Sequence, residues 1–295
     1  MNFDDELSTK KFMLIGILFI ISLISFIGPI SSNASYGVKT NDSWTFTIKN
    51  AQRNFSYSYG FLKGKIVSTG YLLGETKIPL DEQFNLTILS IESNPIESIS
   101  FKLNSANESI TAKSSASLFE KGIQDALGKS VLGEGNFLQN ESGLNAGNEI
   151  FLAPDNTSWS SLIQLWNYSV TELPGAIDGL ESVIVLENFE NEIDYQMRML
   201  YDGTLIDPTM GINFDFTYEA LIQWEKETGI LLQYEFDSHM EGTYNNTFSA
   251  IFSMNLAIER TDIDDVLEKS NQNSIGLDFS IIIASVIFYI RKKRS

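Results

Sequence analysis

The chain has 295 residues, with 20 basic and 38 acidic side chains, a formal net charge of −18 at pH 7 and no cysteine. This excess of negative charge disfavours binding to nucleic acid or anionic lipid, and the lack of cysteine excludes disulfides, thiolate zinc sites and a cysteine nucleophile. Apolar residues make up 43% of the chain, which is ample for a packed core.

Residues 1–34 predict a signal peptide or an uncleaved signal anchor. Lys10 and Lys11 precede an apolar run at residues 12–30, which is about 28 Å long as a helix and nearly spans a bilayer core. Small residues up to Ala34 follow, as at a signal-peptide cleavage site. Flanking positive charge stays in the cytoplasm, so either alternative places the rest of the chain outside.

Residues 35–130 predict an N-terminal β subdomain. Apolar and polar side chains alternate around Trp44, Phe84 and Phe101, which is the period of a strand with one buried face. Residues 55–73 are rich in aromatic side chains and glycine, and they predict hairpins of uncertain register.

Two segments break the strand pattern and predict amphipathic helices. Phe119, Ile123 and Leu127 recur at helical spacing in the first, and a similar stripe includes Trp159 in the second. The Gly- and Asn-rich residues 131–150 between them predict a loop or a subdomain boundary. Each apolar stripe needs a partner, and the natural one is the apolar face of a sheet.

Residues 151–262 predict the second helix followed by a long β-meander. Three alternating runs, joined by turns at Gly229 and near Asn245, predict three long antiparallel strands. The alternation places Leu232 and Phe236 on the same face. The aromatic residues of the predicted apolar face are Phe214, Phe216, Trp224, Phe236, Phe248 and Phe252.

Residues 263–274 predict a polar tether, residues 275–290 a C-terminal transmembrane anchor, and residues 291–295 a cytoplasmic basic tail. The anchor spans about 24 Å and includes Asp278 only at its outer end; the alternative is a buried strand or core helix. The basic residues that set this orientation are Lys10, Lys11, Arg291, Lys292, Lys293 and Arg294. The predicted location is the plasma membrane, with the ectodomain outside the cell.

Asn-x-Ser/Thr sequons are frequent between the two predicted membrane segments, as expected of an external glycoprotein. Chance occurrence in an Asn- and Ser-rich chain is the alternative. The candidate glycosylation sites are Asn41, Asn54, Asn85, Asn107, Asn140, Asn156, Asn167 and Asn245.

Catalytic motifs are missing from the sequence. His239 is the only histidine, and it falls on the polar face of a predicted strand. We therefore predict no enzyme activity, no catalytic residue and no cofactor. The alternative is a calcium ion held by Glu190, Glu192 and Asp194, if these carboxylates share one strand face.

The order of signal segment, β ectodomain, polar tether and apolar run ending in RKKRS resembles archaeal cell-surface proteins with an interchangeable C-terminal membrane anchor. YGVKTNDSWTFTI and WEKETGILLQYEF are similar to strand motifs of such proteins. The resemblance implies surface anchoring and carries over no catalytic residue. Long strands with helices across one face are also similar in outline to bacterial lipoprotein-carrier half-barrels.

The predicted fold is mainly β. It has long-stranded antiparallel sheets arranged as a sandwich or an open half-barrel, two amphipathic helices covering one face, and a membrane helix at each end. The predicted function is a membrane-anchored, extracytoplasmic, non-enzymatic interaction or structural module. Its partners are the membrane, through the C-terminal helix, and a lipid or a surface protein. The alternatives are binding of lipid or another apolar ligand by the aromatic face of a curved sheet, and a cation-dependent surface enzyme.

Overall fold

The computed structural model describes residues 36–73, 76–92, 98–123, 149–154, 159, 179–209, 211–245, 247–264 and 266. Both predicted membrane segments, their basic flanks and most of the second predicted helix lie outside these residues. The same is true of the sequons Asn140, Asn156 and Asn167. Within the described part of the chain, no helix is long and apolar enough to cross a membrane.

The described chain is mainly β, as predicted, and its sheets are antiparallel. The strands are β1 (Ser43–Tyr59), β2 (Leu62–Thr69), β3 (Tyr71–Leu73), β4 (Thr76–Ile78), β5 (Gln83–Glu92), β6 (Ser98–Asn104), β7 (Ser109–Ser114), β8 (Leu180–Glu190), β9 (Asp194–Asp207), β10 (Ile212–Glu225), β11 (Leu231–Tyr244) and β12 (Phe248–Arg260). Ten of them form one sheet in the order β7-β6-β5-β1-β12-β11-β10-β9-β8, with β2 also paired to β1. β3 and β4 form a separate hairpin.

β1 joins the two halves of the chain. One side pairs with β12, from Phe46 opposite Arg260 to Tyr59 opposite Phe248. The other side pairs with β5 near the start of β1 and with β2 near its end. Strands from the N-terminal region and from the later meander therefore belong to one continuous sheet.

β10, β11 and β12 form the long antiparallel meander that the alternating sequence predicts. One detail of its register differs. A register shift opposite Trp224 places Leu231 in the main core and Leu232 in a separate small cluster with Ile263. Leu232 therefore does not join the cluster that contains Phe236, because a β-bulge interrupts the period-two pattern.

The main core lies on one face of the sheet, which we call the inner face. Residues 116–123 form a helix, and its Phe119 and Ile123 side chains are buried in that core. A 3-10 turn (Glu149–Phe151) adds further buried residues, and Leu152 forms an isolated β-bridge with Ile230. These segments cover the end of the inner face where β1 begins.

Candidate functional site

The six aromatic side chains of the predicted apolar face all belong to the main core. Phe214, Trp224, Phe236 and Phe252 are buried. Phe216 and Phe248 are only partly buried. The inner face is thus sealed in one region and less covered in another, and we describe the two regions separately.

The closed end of the inner face is built around Trp224. Its ring lies 5.5 Å from that of Phe119 and 5.2 Å from that of Trp159 between centroids, and Trp159 stacks on Tyr195 at 3.8 Å. The indole Nε1 of Trp224 donates a hydrogen bond of 2.8 Å to the carbonyl oxygen of Ile150. This bond satisfies a buried donor and holds the 3-10 turn against the sheet.

A buried ion pair borders the closed end. Arg260 is 1% exposed, and its Nη1 donates to Oε2 of Glu225 at 2.9 Å while its Nε donates to Oδ1 of Asp262 at 2.6 Å. Thr228 donates to the same Glu225 oxygen at 2.6 Å. These contacts connect the end of β12 to the turn between β10 and β11, so their role is structural.

A polar band crosses the middle of the inner face. Five register pairs connect six strands, from Ser68 through Arg53, Met254, Ser238 and Tyr218 to Tyr201. Every member of the band is buried, and Arg53 is only 4% exposed. The band therefore places one cationic and several hydroxyl groups within an otherwise apolar face.

Two tyrosines at the β8 side of the inner face have raised pKa values. Burial raises the pKa of Tyr201 to about 12, and a contact with Ser182 opposes this shift. Burial also raises the pKa of Tyr195, with Asn188 lowering it and the Glu190 carboxylate raising it. Both hydroxyls therefore stay protonated at neutral pH and hold no negative charge in the core.

We expect alkali to weaken the fold through Tyr201. An unfolded tyrosine has a pKa of about 10, so the folded state holds its proton more tightly and stability falls as the pH rises from about 10 to 12. Tyr201→Phe should reduce this fall by up to about 1.4 kcal/mol per pH unit, measured by urea unfolding between pH 8 and 12. Tyr59→Phe, in a half-exposed ring, is the control. Parallel profiles for the Tyr201→Phe variant and its parent would contradict the assignment.

The other end of the inner face, which we call the open end, is covered unevenly: Ile212 and Phe214 are buried there, whereas neighbouring apolar side chains are partly exposed. Its partly buried apolar side chains are Tyr57, Ile66, Leu205, Phe216, Met240, Tyr244 and Phe248. They come from β1, β2, β9, β10, β11 and β12, so the surface extends across six strands.

Glycines shape the floor of the open end. A Cβ atom added to Gly64 would lie 2.3 Å from the Tyr57 ring, and one added to Gly203 would lie 2.9 Å from the Phe216 ring. Both pairs are cross-strand neighbours. Each ring thus occupies the space that a side chain would fill, as in aromatic rescue of a strand glycine. The result is an aromatic floor close to the sheet.

The acidic residues considered for calcium do not share one face. Glu190 ends β8 and bonds with Lys226 at 2.8 Å, whereas Glu192 lies in the following turn. Asp194 is buried and accepts a hydrogen bond of 2.7 Å from Gln223. In the described residues, no three His, Cys, Asp or Glu side chains are grouped as metal ligands.

The remaining sequence candidates lie at the surface. His239 is on the face opposite the core, with its Nε2 atom 3.8 Å from Oε2 of Glu241. The sequon residues Asn41, Asn85, Asn107 and Asn245 are exposed, and Asn54 is partly buried.

Sequence reasoning missed the polar band, although one signal was present. Arg53 stands between Ala51 and Phe55 in strict alternation, which places it on an apolar face. Because the hairpins predicted at residues 55–73 had no assigned register, the strands that pair with Arg53 could not be identified from the sequence. Ser238 and Tyr218 were separated from Arg53 by more than 150 residues.

A comparison with protein-family models finds no match, and a search of curated proteins finds none with significant sequence similarity.

Proposed function

We propose that this chain is a membrane-anchored, extracytoplasmic binding module without catalytic activity, and that the open end of its inner face holds an apolar chain such as a lipid acyl group. The sheet in this proposal is an open half-barrel with the aromatic floor inside. The observation that carries the proposal is the partial exposure of large apolar side chains from six strands on the core-facing surface.

The two ends of the inner face differ in a way that supports binding at only one of them. At the closed end, Phe119, Phe151 and Trp224 are each at most 1% exposed, so side chains of the protein fill the space. At the open end, rings lie over Gly64 and Gly203 instead of projecting from the sheet. An apolar chain laid on that floor would remove further apolar area from water, which is the main source of affinity in such sites.

Anchoring in the membrane is supported by the terminal sequences. The apolar runs at residues 12–30 and 275–290 are each flanked by basic residues on the side predicted to be cytoplasmic. The first described residue, Tyr36, and the last, Val266, are both buried. A surface-protein partner is the proposed alternative to an apolar ligand.

Native mass spectrometry of the full-length chain, purified from the membrane fraction, tests both parts of the proposal. We expect recovery in that fraction with lipid bound. Met240→Glu places a carboxylate on the open end and should reduce lipid occupancy about tenfold or more, because a buried charge is costly. His239→Glu, one residue away on the opposite face, should leave occupancy unchanged.

The two parts of the proposal fail separately. A soluble chain that still carries lipid would contradict the anchoring and leave the binding site intact. An anchored chain without lipid, or equal occupancy in the two variants, would contradict the binding site.

A further inference from the structure

The β1–β2 hairpin ends in an exposed apolar tip. Phe61 is 94% exposed, Leu62 56% and Tyr59 50%, and the exposed Lys63 and Lys65 follow directly. We call these five residues the hairpin surface. Two more exposed apolar side chains, Val67 and Ile251, lie nearby on β2 and β12. Five of the ten exposed large apolar side chains in the described residues therefore lie on the β1–β2 hairpin or on the adjoining strand β12.

Charge is distributed unevenly over the sheet. No acidic residue occurs between Asp42 and Glu75, although the chain contains 38 of them. Residues 36–123 contain nine basic and eight acidic residues, whereas residues 179–266 contain three basic and 18 acidic residues. The hairpin surface thus combines exposed aromatic and aliphatic groups with positive charge, and the β8–β11 side of the sheet is strongly negative.

We propose that the hairpin surface binds the surface of an anionic lipid bilayer. Phe61 and Leu62 would enter the interface, Tyr59 would lie at headgroup level, and Lys63 and Lys65 would contact lipid phosphates. Lysines on an edge strand such as β2 also prevent edge-to-edge aggregation. That role accounts for the two lysines, but it does not account for a nearly fully exposed phenylalanine beside them.

The position of the hairpin determines how the domain is oriented on the bilayer that anchors the chain. Tyr36 and Gly37 lie beside the β10–β11 turn, since a Cβ on Gly37 would meet the Glu227 carbonyl at 1.8 Å. Ile263 packs near the same end. The hairpin is at the opposite end of β12, twelve residues or about 40 Å away. The domain must therefore lie along the bilayer, and the charge distribution favours the β1–β2 side as the side in contact.

The orientation of the domain along the bilayer depends on the proposed membrane anchoring. The contact between the hairpin surface and lipid does not. The chain lacks cysteine, so Ser58→Cys gives a single attachment point for an environment-sensitive dye beside the tip. The labelled full-length chain is reconstituted in vesicles with and without anionic lipid. The chain is prepared without glycans, because the Asn245 sequon lies in the neighbouring turn and a glycan there could block the hairpin from the bilayer. If the labelled chain does not insert into the bilayer during reconstitution, it is added to the outside of the same vesicles.

We expect lipid-attached quenchers to quench the dye at residue 58 in anionic vesicles, and much less a dye at Thr217→Cys on the acidic side. Lys63→Gln and Lys65→Gln should each reduce the ratio of docked to free tips about fivefold, and Phe61→Ser should reduce it further. Quenching of the residue 58 dye on a chain that has not inserted into the bilayer would support the lipid contact and contradict the proposed orientation of the domain. A water-shielded dye that lipid quenchers do not reach would indicate a protein partner, and an unshielded dye would indicate no contact. Either result would overturn the proposal.

Discussion

Replacing Arg260 with methionine should destabilise the protein by about 3–5 kcal/mol, because one partner of a buried ion pair is left without its counter-charge. Arg260 is 1% exposed, and the Glu225 carboxylate that it contacts at 2.9 Å is itself mostly buried. Methionine retains the apolar stem of the arginine side chain, so the loss reports mainly the missing charge and its hydrogen bonds. Urea unfolding followed by circular dichroism measures it.

Two further variants separate this effect from general sensitivity to substitution. Arg198→Met removes an arginine from the more exposed pair with Glu219, and it should cost less than about 1 kcal/mol. Arg260→Met combined with Glu225→Met should recover most of the loss, because the mostly buried Glu225 charge is then removed as well and the remaining partner, Asp262, is half exposed to solvent. Equal losses for Arg260→Met and Arg198→Met, or no recovery in the double variant, would contradict the structural role of this pair.

Local patterns predicted the long strands well, because alternation reports which face of a strand is buried. The run from Phe214 to Trp224 alternates except at Leu221 and lies within β10, and the glycine predicted to turn the chain, Gly229, has a φ of 73°. The stripe of Phe119 and Ile123 likewise marked a helix that packs on the sheet. In each case the signal is contained within a dozen residues.

Long-range pairing and register could not be predicted in the same way. β1 and β12 are about 200 residues apart in sequence, and nothing local to Phe55 specifies that it lies opposite Phe252. The bulges after Ile48 and opposite Trp224 each shift the register by one residue. Since one such residue changes the face of every side chain beyond it, the inner-face position of Arg53 required the structure.

The candidate site was predicted as a list of aromatic residues and not as two regions with different properties. Phe216 and Trp224 have the same place in the alternating pattern, yet Trp224 is buried under Phe119 and Phe216 is only partly covered. Side chains that pack over the sheet from distant segments determine this difference. The sequence pattern alone assigns a face to a residue, but it does not say what covers that face.

Trp224→Ala should destabilise the protein by about 3–5 kcal/mol, because it removes the largest fully buried side chain among the described residues and leaves a cavity at the closed end. Urea unfolding measures this loss. Hydrogen exchange at the Ala153 amide, which donates to the Gly229 carbonyl at 2.8 Å, should also accelerate as the adjoining 3-10 turn loosens. Trp44→Ala is the matched control, since Trp44 is only partly buried at the edge of the same core, and it should cost clearly less.

Trp224→Phe divides the effect into packing and hydrogen bonding. It keeps an aromatic ring against Phe119 but leaves the buried Ile150 carbonyl without its 2.8 Å donor, which should cost about 1–3 kcal/mol in addition to the lost ring area. Faster exchange at Ala153 in this variant would assign the attachment of the 3-10 turn to the indole hydrogen bond. Unchanged exchange together with a small loss of stability would assign it to ring packing, and the proposed role of the Trp224 hydrogen bond would then be wrong.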